Sequence, residues 1–365
     1  KKTGTSWLNI SFHTTSTKEA RLIYTVSVDI HSASFTMAVF NEKKNLCRTF
    51  TCSTTVENLI EQVSEIPNPK TVVVEECHLA QLVKEVLEEH VDKVVVADPV
   101  QNRWIAEAEF VNDKKSAIKL GKLYLNDDIR EVFHPDADGA SIRSEFLHYR
   151  DLDGHLTRSK NKLKATFKQG GVKHPSDWGE IFTRKKQLLG QLGERPHLQF
   201  RARHFYEMVS SFGHMKQQTY TKLLKRAKKE PVFKLLNGIP GIGALSAIGY
   251  MAIIITPHRF SRRNKLWRYA GLGNQYHVSD ERVYRNRASR SGNREMKWLI
   301  RQQFNAGVLI TKKQNRFKGK YARLLQEGHS KKEARREVQR SMLSVVLAVW
   351  KKGEPYQDKH VSRRG

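Results

Sequence analysis

Two continuous valine runs constrain the fold more than any other feature of this sequence. They read "KTVVVEE" at 70–76 and "DKVVVADP" at 92–99, and the amphipathic segment "LAQLVKEVLEE" at 79–89 lies between them. Uninterrupted apolar runs are typical of strands covered on both faces, and parallel strands need a long crossover that is usually helical. The three segments therefore predict a βαβ unit in a mixed α/β domain.

Three shorter strand-like segments precede the valine runs. They are "LIYTVSVDI" (22–30), "FTMAVFN" (35–41) and "NLCRTFTC" (45–52), and the short turns between them predict an antiparallel meander. A helical pattern follows at about 55–66. We predict a last strand at "IREVFHPD" (129–136) and assign residues 21–140 to this α/β domain. Residues 1–20 are polar and aperiodic, which predicts a disordered tail.

The rest of the chain is predicted to be mainly helical. Residues 141–232 are basic and carry apolar residues at helical spacing, which predicts two long helices folded back on each other or paired with another chain. A coiled coil and a solvated helical arm both satisfy this pattern. Residues 233–365 open with "LLNGIPGIGALSAIGYMAIII" (235–255) and form a predicted C-terminal domain that ends in an amphipathic helix.

The charge of the chain favours a polyanionic partner. The 365 residues include 65 Lys and Arg against 37 Asp and Glu, a net charge of +28. Such a charge gives salt-sensitive binding to DNA or RNA. The longest apolar run, which starts at Ala244, has only about a dozen residues and is too short to span a bilayer. The three cysteines form no metal or disulfide pattern, and no apolar signal segment opens the chain, so we expect a cytoplasmic protein.

Three carboxylates follow or precede predicted buried elements. Asp29 ends one strand, Glu75 ends another, and Asp113 precedes the helical pattern "KKSAIKLGKLYL". Any one of them is explained as an exposed turn or cap residue. Together, at one edge of a mixed sheet, they predict an oxygen-rich Mg²⁺ site that would position an attacking oxygen and polarise a phosphodiester.

Several basic or glycine-rich segments are candidates for nucleic-acid contact. The turn with Gly241 and Gly243 resembles the hairpin of helix-hairpin-helix modules, whose backbone N–H groups meet DNA phosphate; a plain tight turn between packed helices is the alternative. The polar stretch "GNQYHVSDERVYRNRASRSGN" (273–293) predicts a bend in the chain. The candidate cations are Arg282, Arg285, Arg287 and Arg290 in this stretch and Lys162 and Lys164 in the helical region.

In this order, these motifs resemble a known family. "VDI" with Asp29, "VVVEE" with Glu75 and "NDKKSA" with Asp113, followed by "IPGIGALSA", "LWRYAGL" and "SRSGN", are similar to the DEDD transposases related to the Piv DNA invertase, the bridge-RNA-guided insertion-sequence recombinases. The resemblance runs from about residue 22 to 356. It implies a RuvC-like RNase H fold, a coiled-coil insertion and a C-terminal transposase domain that carries a serine.

The resemblance also implies residue roles. Asp29, Glu75 and Asp113 are the first three acids, and Glu76 is the alternative second acid if the register slips by one. The fourth acid is expected three positions after the third, one helical turn further along. Ser116 occupies that position. This departure puts full metal occupancy in question. Ser116 is itself a candidate ligand through its hydroxyl group or a water, and Asp98 or another acid is the alternative.

The predicted nucleophile of the resemblance is Ser279, which lies between "YAGL" (269–272) and "SGN" (291–293). Ser289 and Ser291 are the alternatives. The family usually has glycine after the serine, whereas this chain has Asp280. The implied reaction is serine attack on a DNA phosphodiester, a covalent phosphoserine intermediate, strand exchange and religation.

The resemblance implies donor and target DNA, a structured guide RNA and a homo-oligomer, either a dimer or a tetramer, in a prokaryotic cytoplasm. Two other functions are consistent with the residues. In a metal-dependent nuclease or junction resolvase the acids would act and the basic stretch would only bind. In a cleavage-impaired nucleic-acid-binding relative, Ser116 would mark the lost activity.

Overall fold

The structure, a computed structural model, describes residues 23–99, 112–279, 282–288 and 291–358; along 274–279 and 282–288 it describes the backbone alone. The predicted tail at 1–20 and Arg290 lie outside the described residues. The chain divides into two compact units, and the boundary along the sequence lies between Asp136 and Ala137. The domain limits predicted from the sequence stay predictions. In the part of the chain that the structure describes, no helix combines the length and the apolarity that crossing a membrane requires.

The first unit is built on a five-stranded mixed sheet in the order β3-β2-β1-β4-β5. Strands β1, β2 and β3 form the predicted antiparallel meander, and β4 and β5 extend the sheet parallel to β1. The elements are β1 (Tyr24–Ile30), β2 (Ser34–Phe40), β3 (Leu46–Ser53), α1 (Val56–Ser64), β4 (Lys70–Glu75), α2 (Ala80–Leu87), β5 (Lys93–Ala97) and α3 (Asp113–Leu125). The predicted βαβ unit is confirmed, and the mixed sheet is consistent with an RNase H-like transposase domain.

Both faces of the central strands are covered, which explains the valine runs. On one face, Val72 and Val74 pack with Leu59 of α1 and Val83 of α2. On the other face, Val73 packs with residues that include Leu120 of α3. Alternate side chains of one strand point to opposite faces, so a strand buried on both must be apolar throughout.

Helix α3 lies unusually close to the sheet at Gly121. A Cβ atom on Gly121 would lie 2.2 Å from Cε2 of Phe40 and 2.7 Å from Oγ of Ser27. The Ser27 hydroxyl donates a hydrogen bond to the Ala117 carbonyl oxygen at 2.6 Å. The hydrogen bond from Ser27 therefore holds the helix against β1. The absence of a side chain at Gly121 lets the helix approach β1 and β2 this closely.

The predicted strand at 129–136 is wrong. The segment pairs with β5 only through an isolated antiparallel bridge between Ala97 and Glu131, supported by the bond from Val132 N to Val96 O at 2.7 Å. Residues 133–136 then leave the sheet, where Pro135 has no N–H to continue a ladder.

The second unit contains a long helical hairpin. Its arms are α4 (Ala137–Gln169) and α7 (Pro196–Ala227), which pack on each other. This is one of the arrangements that the sequence left open. Two short helices close the far end, α5 (Trp178–Thr183) and α6 (Lys185–Gly190), over an apolar cluster that includes Phe167. The helical pattern is thus satisfied within one chain, whatever the oligomeric state.

The rest of the second unit folds around one buried helix. The elements are α8 (Pro231–Asn237), α9 (Ala244–Ile254), a short 3₁₀ turn (Pro257–Arg259), α10 (Arg263–Tyr269), β6 (Asn274–Ser279), β7 (Arg282–Ala288), α11 (Arg294–Phe304), a π-helical segment (Asn305–Ile310), α12 (Arg316–Gln326) and α13 (Lys331–Lys352). Every residue of α9 from Ala247 to Ile254 is buried. The apolar run that begins at Ala244 is therefore the core of this unit.

The stretch at 273–293 is more regular than its composition predicts. Its backbone forms an antiparallel two-stranded ribbon, β6 paired with β7, instead of an irregular loop. Turn-forming residues dominate the composition, but Tyr276, Val278, Val283 and Tyr284 have high strand propensity and are spread along both strands.

Substitution of Gly121 tests the close approach of α3. We expect Gly121→Ala to lower the free energy of unfolding by about 1–3 kcal/mol, because the new methyl group would overlap the buried Phe40 ring. Urea unfolding followed by circular dichroism measures this change. The matched control is Gly213→Ala in α7, where a Cβ would have no atom within 4 Å. The free energy of unfolding of the control should rise by up to about 1 kcal/mol, because alanine has a higher helix propensity than glycine. Equal effects at the two positions would contradict the packing argument.

Candidate functional site

Strand pairing places Asp29 and Glu75 side by side. Val28 of β1 pairs with Val74 of β4 in parallel register, and Asp29 and Glu75 are the next residue on each strand. Neighbouring residues of parallel strands project from the same face of a sheet. Ser27, two positions before Asp29, bonds to α3, so this is the face that α3 covers. The structure thus brings together the first two predicted acids.

Helix α3 brings the third acid to the same edge. Asp113 is the first residue of α3, and Asn112 caps the helix by accepting a hydrogen bond from Lys115 N at 2.8 Å. Ser116, one turn along, donates a hydrogen bond to the Asp29 carboxylate. The position that the resemblance assigns to the fourth acid therefore does face the cluster, but it contributes a hydroxyl group.

The sequence reasoning missed His31 as a member of this cluster. Its Nε2 lies 3.5 Å from Oδ1 of Asp29 and 4.0 Å from Oδ1 of Asp113. One potential ligand atom from each of these three residues lies within 4.8 Å of the others. The available signal was the spacing: His31 is two residues beyond Asp29, so an extended backbone presents both on one face.

Electrostatic repulsion and burial both act on the acids. Burial raises the pKa of Asp29, the His31 charge and the Ser116 hydrogen bond act in the opposite direction, and the Asp113 charge raises it further. Burial also raises the pKa of Glu75, with a second contribution from the charge of Asp29. A cluster in which ionised carboxylates disfavour each other is one that a cation would stabilise.

The two alternative acids are placed differently. The Glu76 carboxylate is engaged by Nε2 of His134, whose Nδ1 lies 2.8 Å from Oε1 of Gln81. Asp98 follows β5, and its backbone N–H donates to the Arg130 carbonyl oxygen at 2.9 Å. Glu75 is thus the member of the Glu75–Glu76 pair whose charge interacts with Asp29.

These residues fit a divalent cation. Carboxylate oxygens from Asp29 and Asp113 are the donors that hard cations prefer, and Glu75 adds a third carboxylate at the same edge. Asp113 and His31 are more than half exposed, at 55% and 59%, so the edge is open to water and to a phosphate group. Catalytic metal sites keep such open positions.

The β6–β7 ribbon that carries Ser279 rises from a tightly closed base. Gly292 has a φ of +117°, and a Cβ there would lie 2.5 Å from the Gly271 nitrogen. The Asn293 N–H donates to the Tyr269 carbonyl oxygen at 2.7 Å. Arg340 of α13 donates from Nε to the Leu272 carbonyl oxygen at 2.9 Å. The two ends of the ribbon are therefore fixed against each other and against α13.

Ser279 lies at the opposite end of the ribbon from this base. It pairs with Arg282, and these two residues flank the two-residue connection between the strands. A register shift between His277 and Val278 marks a β-bulge just before it, a feature that often re-aims side chains near functional sites. Arg285 and Arg287 also lie on β7, so the predicted nucleophile shares the ribbon with three predicted cations.

The remaining candidates have different surroundings. Gly241 has a φ of +83°, and a Cβ there would lie 2.3 Å from the Gln303 carbonyl oxygen, so a tight turn between packed helices accounts for this glycine. Gly243 is exposed and precedes α9. Lys164 Nζ lies 4.7 Å from the centre of the Trp178 ring, and Nζ of the exposed Lys162 lies 6.0 Å from the centre of the Phe205 ring. Their contact with nucleic acid stays a prediction.

Comparison with known families decides how these features are interpreted. The DEDD-type IS110 transposase model matches residues 26–171. A second model, described as Transposase IS116/IS110/IS902 family, matches residues 233–322. The chain carries IS110-type transposase domains. No curated protein matches it.

The two transposase matches include the carboxylate cluster and the β6–β7 ribbon respectively. The DEDD-type match includes Asp29, Glu75 and Asp113, and the second match includes the whole β6–β7 ribbon with Ser279. IS110-type domains support a function in DNA transposition or recombination. DEDD-type domains typically use a divalent metal, which agrees with the chemistry of the carboxylate cluster.

The raised pKa of Asp29 predicts that this acid costs stability in the metal-free transposase domain. The folded chain holds the Asp29 proton more tightly than the unfolded chain. The stabilisation that comes from protonated Asp29 is therefore complete below the ordinary pKa of 3.8, and it is lost as the pH rises through the higher pKa of the folded chain. We expect Asp29→Asn to raise the urea midpoint at pH 7 in chelator-treated buffer. The gain should disappear as the pH falls toward 3.8.

The control for this test is Glu57→Gln, which removes one negative charge from an exposed position in the first turn of α1. It should lower stability slightly or leave it unchanged, because an acid near a helix N-terminus is favourable. A lower midpoint for Asp29→Asn at pH 7 would contradict the electrostatic account.

Proposed function

We propose that this protein is an RNA-guided DNA transposase or recombinase that cuts and rejoins DNA through Ser279. The observation that carries the proposal is that Asp29 and Asp113 come from separate elements into one group of potential metal ligands, and that Glu75 lies next to Asp29 in strand register. More than 80 residues separate Asp29 from Asp113 in the sequence. Acids that serve only to interact with water would not be expected to cluster, because like charges repel. The two transposase matches give the convergence its functional meaning.

The carboxylate cluster is the proposed metal site. Asp29, Glu75 and Asp113 would hold Mg²⁺ or a similar cation, and Ser116 would orient Asp29 through its hydroxyl group. A bound divalent cation would polarise the phosphodiester and stabilise negative charge on the leaving oxygen.

Ser279 is the proposed nucleophile. Its hydroxyl loses a proton as its oxygen bonds to phosphorus, and the bond from phosphorus to one sugar oxygen breaks; that oxygen leaves and takes up a proton. In religation a sugar hydroxyl of another strand attacks the phosphoserine and releases the serine hydroxyl. One phosphodiester is exchanged for another, so no external energy source is needed. The cationic ribbon supports this role because neighbouring arginines stabilise a phosphate as its charge grows.

The partners follow from the charge and from the resemblance. A net charge of +28 supports binding of donor and target DNA and of a structured guide RNA. Two long helices presented as a hairpin support assembly into a dimer or tetramer, with the partner chain added to the contacts already made within the chain. Arg282, Arg285 and Arg287, with Lys162, are the proposed phosphate contacts.

One observation favours a second candidate function. Ser116 replaces an acid at a position that does face the cluster, which would weaken metal binding in a cleavage-impaired nucleic-acid-binding relative. The products of a cleavage assay separate this candidate from the transposase and from a metal-dependent nuclease.

The proposed nucleophile is tested by trapping its intermediate. Incubation of the protein with donor DNA, target DNA, guide RNA and a divalent cation should give a protein–DNA adduct that survives denaturation. We expect Ser279→Ala to abolish the adduct, since the covalent bond forms at this hydroxyl. The measurement is the shifted band of labelled DNA on a denaturing gel.

Matched controls are Ser289→Ala and Ser291→Ala, which remove the two alternative hydroxyl groups nearby. Both should keep the adduct. Cleavage that survives Ser279→Ala but not Asp29→Ala would indicate a metal-dependent nuclease, and binding without strand breakage would indicate the cleavage-impaired relative.

The proposed role of the ribbon in phosphate binding is tested by salt dependence. Each arginine that binds a phosphate of duplex DNA contributes about 0.9 to the slope of log affinity against log salt. We therefore expect the combined substitution of Arg282, Arg285 and Arg287 by alanine to reduce the slope by about 2–3. The measurement is fluorescence anisotropy of labelled duplex over a salt series.

The control for the salt series is Arg48→Ala, which removes an arginine whose guanidinium pairs with Glu65 at 2.9 Å. Its slope should stay close to that of the unsubstituted protein. An unchanged slope for the triple variant would remove the ribbon from the phosphate-binding surface.

A further inference from the structure

The candidate metal site has an open ligand place and a histidine beside it. Ser116 stands where a fourth carboxylate is expected, and its hydroxyl is already bonded to Asp29. Nε2 of His31 lies 3.5 Å from the same carboxylate, and neither the resemblance nor the proposed function gives this histidine a role. The question is whether its imidazole is a salt-bridge partner alone or a ligand.

The distances agree with a shared cation. Metal–ligand bonds of about 2.1 Å separate adjacent ligands of one ion by about 3 Å and opposite ligands by about 4 Å. Nε2 of His31 is 3.5 Å from Oδ1 of Asp29 and 4.0 Å from Oδ1 of Asp113. The ligand atoms of the three residues lie within 4.8 Å of one another, and small movements of the exposed His31 and Asp113 side chains would bring them to one ion.

The backbone of His31 is held in place by the turn between β1 and β2. Its N–H donates to the Ser34 carbonyl oxygen at 2.9 Å, and its own carbonyl oxygen accepts a bond from the Thr54 hydroxyl at 2.7 Å. The imidazole is therefore presented from a fixed point beside Asp29, as a ligand must be.

We propose that His31 supplies the ligand that Ser116 does not, and that the resulting site of oxygen and nitrogen donors prefers Mn²⁺ to Mg²⁺. This inference rests on the proposed metal site and deepens it. Mg²⁺ favours oxygen donors in near-ideal octahedral geometry, whereas imidazole nitrogen suits transition metals better. Replacing the fourth oxygen donor by a nitrogen donor therefore shifts the preference of the site from Mg²⁺ towards Mn²⁺.

Metal binding to the full-length, metal-stripped chain tests the inference without any DNA. Isothermal titration with Mn²⁺ and with Mg²⁺ should show Mn²⁺ bound at least about tenfold more tightly. We expect His31→Ala to weaken Mn²⁺ binding by about tenfold and to change Mg²⁺ binding less, because water can replace the imidazole for Mg²⁺. Ser116→Asp should reduce the difference between the Mn²⁺ and Mg²⁺ affinities, because it adds an oxygen donor.

The matched control is His78→Ala. His78 is another exposed histidine near the end of β1, but its Nε2 lies 3.3 Å from the Ser32 hydroxyl, outside the cluster around Asp29. This variant should keep both affinities. Because a substitution can disturb folding, the decisive readout uses the unsubstituted protein: pulsed electron paramagnetic resonance of bound Mn²⁺ should detect nitrogen hyperfine coupling, and His31→Ala should remove it.

Two results would overturn the inference: bound Mn²⁺ without nitrogen coupling, or equal affinities for Mn²⁺ and Mg²⁺. These failures are separable from failure of the proposed function. Nitrogen coupling without a Ser279 adduct contradicts the nucleophile alone. An adduct without nitrogen coupling contradicts His31 alone.

Discussion

The close contact of α3 with the sheet is the interaction on which the candidate site depends. Asp113 and Ser116 reach Asp29 only because Gly121 has no side chain to hold the helix away from Phe40, and because Ser27 bonds to the helix backbone. Protein interiors transmit such constraints because they are close-packed. A displacement of α3 by the width of one methyl group would separate the carboxylates by more than a metal–ligand bond tolerates.

The same principle governs the second unit. The β6–β7 ribbon is a two-stranded element, which is marginal on its own, and its position comes from its base. Gly271 and Gly292 allow the two ends to touch, and Arg340 ties one end to α13. Both parts of the proposed chemistry thus rest on positions without a side chain, which let two backbone segments approach more closely than other residues allow.

The fold of the first unit could be predicted well from local pattern, and the site only in part. Valine runs and alternating strands have periods that the backbone geometry imposes, so Val72–Val74 and the meander before them indicated the sheet directly. The prediction of a strand at 129–136 was wrong because the pairing of an edge segment depends on its partner strand as well as on its own composition. His31 was missed because a lone histidine carries no periodic signal and becomes meaningful only beside Asp29 and Asp113.

The sequence alone indicated the mixed sheet, two long helices in residues 141–232, a net charge that favours a polyanionic partner and the order of the acids, because strand alternation, helical spacing and net charge are properties of neighbouring residues or of simple sums. Only the tertiary structure decided that Glu75 is the acid coupled to Asp29, that Ser116 faces the cluster, and that Ser279 ends a strand of a ribbon. These facts depend on register and on distances between residues far apart in the chain. Such distances are set by packing, which no local pattern encodes.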